Sequence, residues 1–114
     1  MDRKVTELEY EIAPEELKSL LERNSDVVVL DCREPWEFDT ARIEGSVHIP
    51  MNDIPARLQR ELDPAKHTVV VCHHGVRSMN VTVWLRRQGY DKAQSLAGGI
   101  DRWARQIDPK VSVY

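Results

Sequence analysis

Cysteine is scarce in this chain: 114 residues hold only Cys32 and Cys72, forty positions apart. So small a number excludes a disulfide-rich secreted scaffold, and the wide spacing leaves no local pair of the kind that clips a metal ion. Long apolar runs are missing too, since nothing approaches the roughly 18 to 20 consecutive apolar residues needed to span a bilayer. The opening Met1-Asp2-Arg3-Lys4-Val5 is charged, with no apolar segment behind it, so no secretory leader is expected. An excess of one charge is also lacking. The chain has 16 Lys plus Arg against 19 Asp plus Glu, a net charge of −3, which argues against a nucleic-acid module held by phosphate contacts. There is no internal repeat, linker or low-complexity tract. What these absences leave is a cytoplasmic protein, in a reducing compartment if both thiols stay free.

What is present suits one core. At 13.2 kDa and 41% hydrophobic residues the chain has the size of one domain. Residues 1–114 are therefore expected to form a single unit, with a core over about 8–107 and a tail over 108–114. Tyr10 to Ile12 reads as a brief strand. Ala13-Pro14-Glu15-Glu16 reads as a helix start, with proline in the first turn and acids at the positive end of the dipole. Leu17, Leu20 and Leu21 mark that helix's buried face. Val27-Val28-Val29-Leu30 and Thr68-Val69-Val70-Val71 are continuous β-branched runs, as in strands covered on both faces. Short strands at Ser46–Ile49 and Ala93–Leu96 and helices near 35–38, 54–62, from Ser78 to Gly89 and through Trp103 complete an alternating pattern. Such alternation implies an α/β fold, a small parallel sheet of about five strands flanked by helices on both faces. Strand order is not contained in the pattern.

Polar clusters directly after the two buried runs mark the carboxyl ends of strands, where open α/β sheets place their sites. The second is Cys72-His73-His74-Gly75-Val76-Arg77-Ser78. Cys72 ends a strand and a helix follows, so its sulfur lies above a helix N-terminus. First-turn N–H groups lack intrahelical partners and the dipole adds roughly half a positive charge there. Gly75 lets consecutive N–H groups turn inward as an anion-binding nest. A thiolate is favoured in such a cradle, which makes Cys72 a nucleophile. From Pro64 to Tyr90 there is no acidic residue, while Lys66, Arg77, Arg86 and Arg87 carry +4. The nucleophile is thus expected inside a basic pocket of an acidic protein. Cysteine-dependent phosphatases resemble this arrangement but place five residues between Cys and Arg. Here Arg77 follows after four, a shorter turn that favours transfer of sulfur over phosphorus.

The residues resemble the single-domain rhodaneses, the thiosulfate sulfurtransferase family. Val29-Leu30-Asp31-Cys32-Arg33-Glu34-Pro35-Trp36-Glu37-Phe38 is similar to the family's first signature, an apolar strand followed by Asp-Val-Arg and an acidic-aromatic helix. Ile43-Glu44-Gly45-Ser46-Val47-His48-Ile49-Pro50 is similar to its Ile-x-Gly-Ala-x-x-Ile-Pro segment, Cys72 to Ser78 to its active loop, and Leu96-Ala97-Gly98-Gly99-Ile100-Asp101-Arg102-Trp103 to its closing motif. Two departures stand out: Ala41-Arg42 where the family has Gly-His, and Cys32 in place of an apolar residue. The resemblance implies a double displacement in which Cys72 takes sulfur from thiosulfate as a persulfide and gives it to a thiol or cyanide, without metal or organic cofactor. A sulfur-carrier role, loaded by a relay protein such as a cysteine desulfurase, is the alternative. No membrane or nucleic-acid partner is implied.

In that reading the N–H groups of residues 73–77 hold the persulfide's charge, and Arg77 steers the anionic donor. His73, His74, Gly75, Val76, Arg77, Ser78 and Arg33 are the expected donor-binding residues, with Asp31 ordering nearby backbone. His73 and His74 are expected to point outward, and no ligand from elsewhere suggests that they hold a metal with Cys72. Arg33 either binds anions or pairs with Glu37, four positions on. Cys32 is either a replaced core valine, the simpler account, or a thiol that resolves an oxidised Cys72. His48 and His67 read as strand-end residues, and Trp36, Trp84 and Trp103 as core.

Overall fold

The computed structural model describes residues 8–23 and 26–114; the charged opening Met1 to Val5 lies outside them. Five parallel strands, β1 (Glu11–Ile12), β2 (Val27–Asp31), β3 (Val47–His48), β4 (His67–Val71) and β5 (Ala93–Leu96), stand in the order β1-β5-β4-β2-β3. Five α-helices alternate with them: α1 (Pro14–Glu22), α2 (Pro35–Thr40), α3 (Ile54–Glu61), α4 (Val76–Arg87) and α5 (Gly99–Gln106). The expected α/β class and five-stranded sheet are what the chain forms. Among the described residues no helix is long and apolar enough to cross a membrane.

Side-chain parity explains why the two β-branched runs carry no polar alternation. Leu30 and Val70 face one side of the sheet and pack with Ile54 and Leu58 of α3 and Val81 and Leu85 of α4. Val29, Val69 and Val71 face the other, against Leu17 of α1 and Ile100 and Trp103 of α5. Both faces are therefore apolar. Parity carries past the strand ends, so Cys32 and Cys72 lie on the α3/α4 side.

Two expectations change. The helix after Cys72 begins at Val76 rather than Ser78, with Gly75 as its N-cap at φ 112°, which shortens the turn further. Trp36 is 62% exposed and not core, because α2 is only six residues long and its inward positions are taken by Glu37 and, in part, Phe38. The segment after α5 forms no second core but returns to the sheet's carboxyl end, where Val111 and Tyr114 pack on the α1/α5 cluster.

Candidate active site

Cys72 follows β4, and its buried Sγ accepts the Gly75 N–H at 3.0 Å. A left-handed backbone at Gly75 turns that N–H back toward the sulfur, a conformation that side-chain-bearing residues resist. Behind the sulfur, the thiol donates to Ser78 Oγ at 3.2 Å, and Ser78 Oγ lies 2.7 Å from Ser95 Oγ on β5. Both hydroxyls are buried. A serine hydroxyl both donates and accepts, so this pair can take the thiol's hydrogen bond or, reversed, donate one to an anion on sulfur.

The second strand-end cluster stands beside the first because β2 and β4 are neighbours in register, Asp31 opposite Val71. Arg33, expected among the donor-binding residues, is 0% exposed and is turned inward. Its Nε and Nη2 donate to Asp31 Oδ1 and Oδ2 at 2.8 and 2.6 Å, and Nη2 also donates to the Ala41 carbonyl. Nη1 donates to the Glu37 carbonyl at 3.2 Å and the Tyr114 hydroxyl at 2.8 Å. All five guanidinium donors are thus used inside the protein. Burial opposes the Arg33 cation, but the Asp31 carboxylate and Tyr114 outweigh it and keep the group firmly protonated. Asp31 also accepts the Arg33 backbone N–H at 3.1 Å, which ties down the backbone just after β2.

The carboxylate of Glu37 pairs with Arg77 rather than Arg33. Arg77 Nη1 and Nη2 reach Glu37 Oε1 and Oε2 at 2.8 and 2.9 Å, a bidentate pair. Glu37 Oε1 also accepts the Glu34 N–H at 3.0 Å, and Oε2 the Tyr114 hydroxyl at 2.8 Å. The Arg77 hydrogen bonds, against the cost of burial, hold the Glu37 carboxyl at about 2, and the same pair raises Arg77.

The basic pocket inferred from the acid-free stretch does not form. Lys66 lies 3.4 Å from Asp26, and Arg86 donates to the Leu8, Glu9 and Ala93 carbonyls. Arg86 and Arg87 sit at the far end of α4, some 15 Å of helix from its N-terminus. Of the four cations only Arg77 reaches the site.

His73 does not point freely outward: its ring stacks on Tyr114 at 4.1 Å, while His74 is exposed. Asp101 supplies the outside ligand that the sequence did not suggest, since its carboxylate and ring nitrogens of His73 and His74 lie within 4.8 Å of one another. Asp101 is engaged by Arg105 at 3.1 Å and His73 Nε2 by the Tyr114 backbone oxygen at 3.0 Å, and both contacts compete with an ion. Cys72 is not part of that cluster. His48 and His67 sit at strand ends, bonded to the Arg33 carbonyl and to Gln94. Cys32 is buried with its Sγ 3.5 Å from the Val71 carbonyl, and both cysteines are free thiols. Burial, followed by charge at Cys72 and Asp31, pushes the Cys32 thiol up to about 12.

Ser95 and Tyr114 are the site residues that sequence reasoning missed. Neither carries a local signal: Ser95 lies in a short buried strand of mixed sequence, Ala93-Gln94-Ser95-Leu96, and Tyr114 seven residues beyond Ile107.

The chain is similar to known proteins over most of its length. The model of the rhodanese-like domain matches residues 13–106. A sulfurtransferase of Allochromatium vinosum is 35% identical, over 90% of this chain and 94% of its own. The thiosulfate sulfurtransferase GlpE of Pseudomonas syringae is 37% identical, over 81% of this chain and 84% of its own. A rhodanese-related protein of Thermoplasma volcanium, known from its crystal structure, superposes with a TM-score of 0.79 at 27% identity, covering 93% of this chain and all of that one.

Proposed function

The chain belongs to the rhodanese-like family and is a sulfurtransferase, and from that premise we propose that it moves a sulfane sulfur from thiosulfate or a related donor to a thiophilic acceptor through a persulfide on Cys72. The observation that carries this reading is the Gly75 N–H, 3.0 Å from Cys72 Sγ at the N-terminus of a twelve-residue helix. That arrangement favours negative charge on sulfur.

In the first half-reaction the Cys72 thiolate attacks the outer sulfur of thiosulfate. The donor's S–S bond breaks, sulfite leaves with the electron pair, and Cys72–S–S⁻ remains. Two of the five N–H donors of Arg77 are committed to Glu37, which leaves three to grip the donor's oxygens. The loop N–H groups and the Ser78 hydroxyl stabilise the persulfide anion, with Ser95 orienting Ser78. In the second half-reaction a thiolate or cyanide attacks the outer persulfide sulfur and the Cys72 thiolate leaves. Electron-pair displacement at sulfur calls for neither a metal nor an organic cofactor.

Intact-protein mass spectrometry tests the reading. Thiosulfate is expected to add one sulfur, about 32 Da, which cyanide removes and which Cys72→Ala never gains. Absence of the adduct, or its persistence in Cys72→Ala, overturns the assignment. Aryl phosphate hydrolysis dependent on Cys72 would favour the phosphatase chemistry instead.

One further observation favours the carrier reading. Four large hydrophobic side chains are exposed among the described residues, and three of them, Trp36, Val76 and Val113, belong to segments that frame the site. Val76, in the cysteine loop, is 73% exposed. Apolar groups at a reactive mouth suit a protein donor. Efficient loading by a cysteine desulfurase beside poor thiosulfate turnover would select that role.

A further inference from the structure

Tyr114 makes contacts at this site that the transfer steps above do not use. Its hydroxyl accepts from Arg33 Nη1 and donates to Glu37 Oε2, both at 2.8 Å. Its ring lies 4.1 Å from the His73 imidazole and within 7° of parallel, its backbone oxygen stands 3.0 Å from His73 Nε2, and the Trp36 ring meets it edge-on at 5.7 Å. One residue therefore touches the loop twice, at His73 directly and at Arg77 through Glu37.

Hydrogen-bond chemistry says what this contact does. A guanidinium only donates and a carboxylate only accepts, so the phenolic proton has one direction to point, from Arg33 toward Glu37. Glu37 then receives four donors, two on each oxygen: Arg77 Nη1 and the Glu34 N–H on Oε1, Arg77 Nη2 and Tyr114 on Oε2. Among the described residues Glu37 is the only hydrogen-bond partner of the Arg77 guanidinium. Whatever orients the carboxylate orients Arg77. Removing the phenolic hydroxyl strips Oε2 of a donor and leaves one N–H of the buried Arg33 unmet. The carboxylate then has reason to turn toward Arg33 and away from Arg77.

We infer that Tyr114 is a positioning residue for sulfur loading: it locks Glu37, and through it the Arg77 guanidinium, in the orientation that receives an anionic donor, and it pins the His73 ring at the start of the cysteine loop. The inference rests on Cys72 taking sulfur from an anionic donor. It assigns Tyr114 to the loading step, because the donor's sulfonate oxygens are what Arg77 grips, whereas an attacking thiolate carries its charge on the atom that bonds to the persulfide sulfur.

The test uses the full chain with Tyr114→Phe, which keeps the stacked ring and loses the hydroxyl, and Tyr114→Leu, which loses both. In Tyr114→Phe the rate of Cys72 loading by thiosulfate is expected to fall about five- to tenfold, while discharge of the preloaded persulfide to a small thiol that bears no other charged group changes by less than about twofold. Glu37→Gln slows loading similarly, and Tyr114→Phe adds little in that background. Nuclear magnetic resonance reads the same network without turnover. The Arg77 Nε–H is expected to exchange faster with solvent in Tyr114→Phe than in the parent, and the His73 ring protons, which also stack on His74 at 3.9 Å, lose the Tyr114 part of their aromatic shift only in Tyr114→Leu. Equal loading rates, unchanged Arg77 exchange, or loading and discharge slowed together with a lowered Tm would each overturn the inference. If the parent protein itself takes no sulfur from thiosulfate, the reading of the site fails, and the Arg77 resonance still decides whether Tyr114 holds the guanidinium.

Discussion

Cys32 and Cys72 follow neighbouring strands on the same face of the sheet, yet their sulfurs meet different partners. Cys72 has an N–H aimed at its sulfur, whereas Cys32 has the Val71 carbonyl oxygen, an acceptor that favours the protonated thiol. With its thiol pushed up to about 12, Cys32 is expected to stay unlabelled by iodoacetamide at pH 8 in the native protein and to react only after unfolding. Peptide mapping reads this, and native labelling of Cys32 would revive the resolving role. Cys32→Val should then retain sulfur transfer. Glu37 makes the other residue-scale prediction. Its carboxyl sits at about 2 in the native protein against 4.5 ordinarily, so the stabilisation it supplies is complete above pH 4.5 and lost as the pH falls through 2. Urea unfolding between pH 6 and pH 2.5 should show Glu37→Gln losing less stability than the parent, by on the order of 2 kcal/mol. Parallel losses in the two proteins would remove Glu37 from the acid response.

At the scale of elements, the cysteine loop is held in shape by α5 as much as by α4. The Ile100 and Asp101 N–H groups bond to the Cys72 and His73 carbonyls at 2.9 and 3.1 Å, so the start of α5 is fastened to the back of the loop. Gly99 permits that approach: at φ 63° it is left-handed, and a Cβ there would meet the His73 carbonyl and, at 2.6 Å, the Cys72 carbonyl oxygen. Neither backbone atom can yield without moving the loop. Gly99→Ala is therefore expected to destabilise the protein by about 2 to 4 kcal/mol and to slow sulfur loading as well. Chemical denaturation measures the first; a change below about 0.5 kcal/mol would mean the loop adjusts freely. The Gly98-Gly99 pair near the closing motif, visible in the sequence, thus owes its place to a contact 26 residues away in the chain.

Across the whole molecule, charge is spent locally. Lys66 is paired with Asp26, Arg86 lies at the far end of α4, and Arg77 already faces Glu37, so weak long-range steering of the donor is expected. Raising NaCl from about 20 to 200 mM should change thiosulfate loading by less than about threefold, since screening weakens long-range steering far more than a short contact. A steeper dependence in stopped-flow traces would show that the distributed charge matters after all. Much of this architecture was legible in one dimension. The two β-branched runs, the 54–62 helix, which ends one residue early, and the strand at 93–96 follow from periodicity, because each buries its apolar face whatever its neighbours are. Cys72, Gly75, Arg77 and Ser78 were readable as one device because a tight turn confines them within seven consecutive residues. Trp36 and Arg33 were misread, the first because a short helix offers few buried positions, the second because a buried cation looks like an exposed one until its partners are known. The strands, the helices and the glycine-containing turn around Cys72 are legible in the sequence, because each is local in the chain. Only the tertiary structure decided that Arg77 pairs with Glu37, that Ser95 backs Ser78 and that Tyr114 closes the network, because the order β5-β4-β2 joins segments up to 81 residues apart and hydrogen bonds form by distance in space.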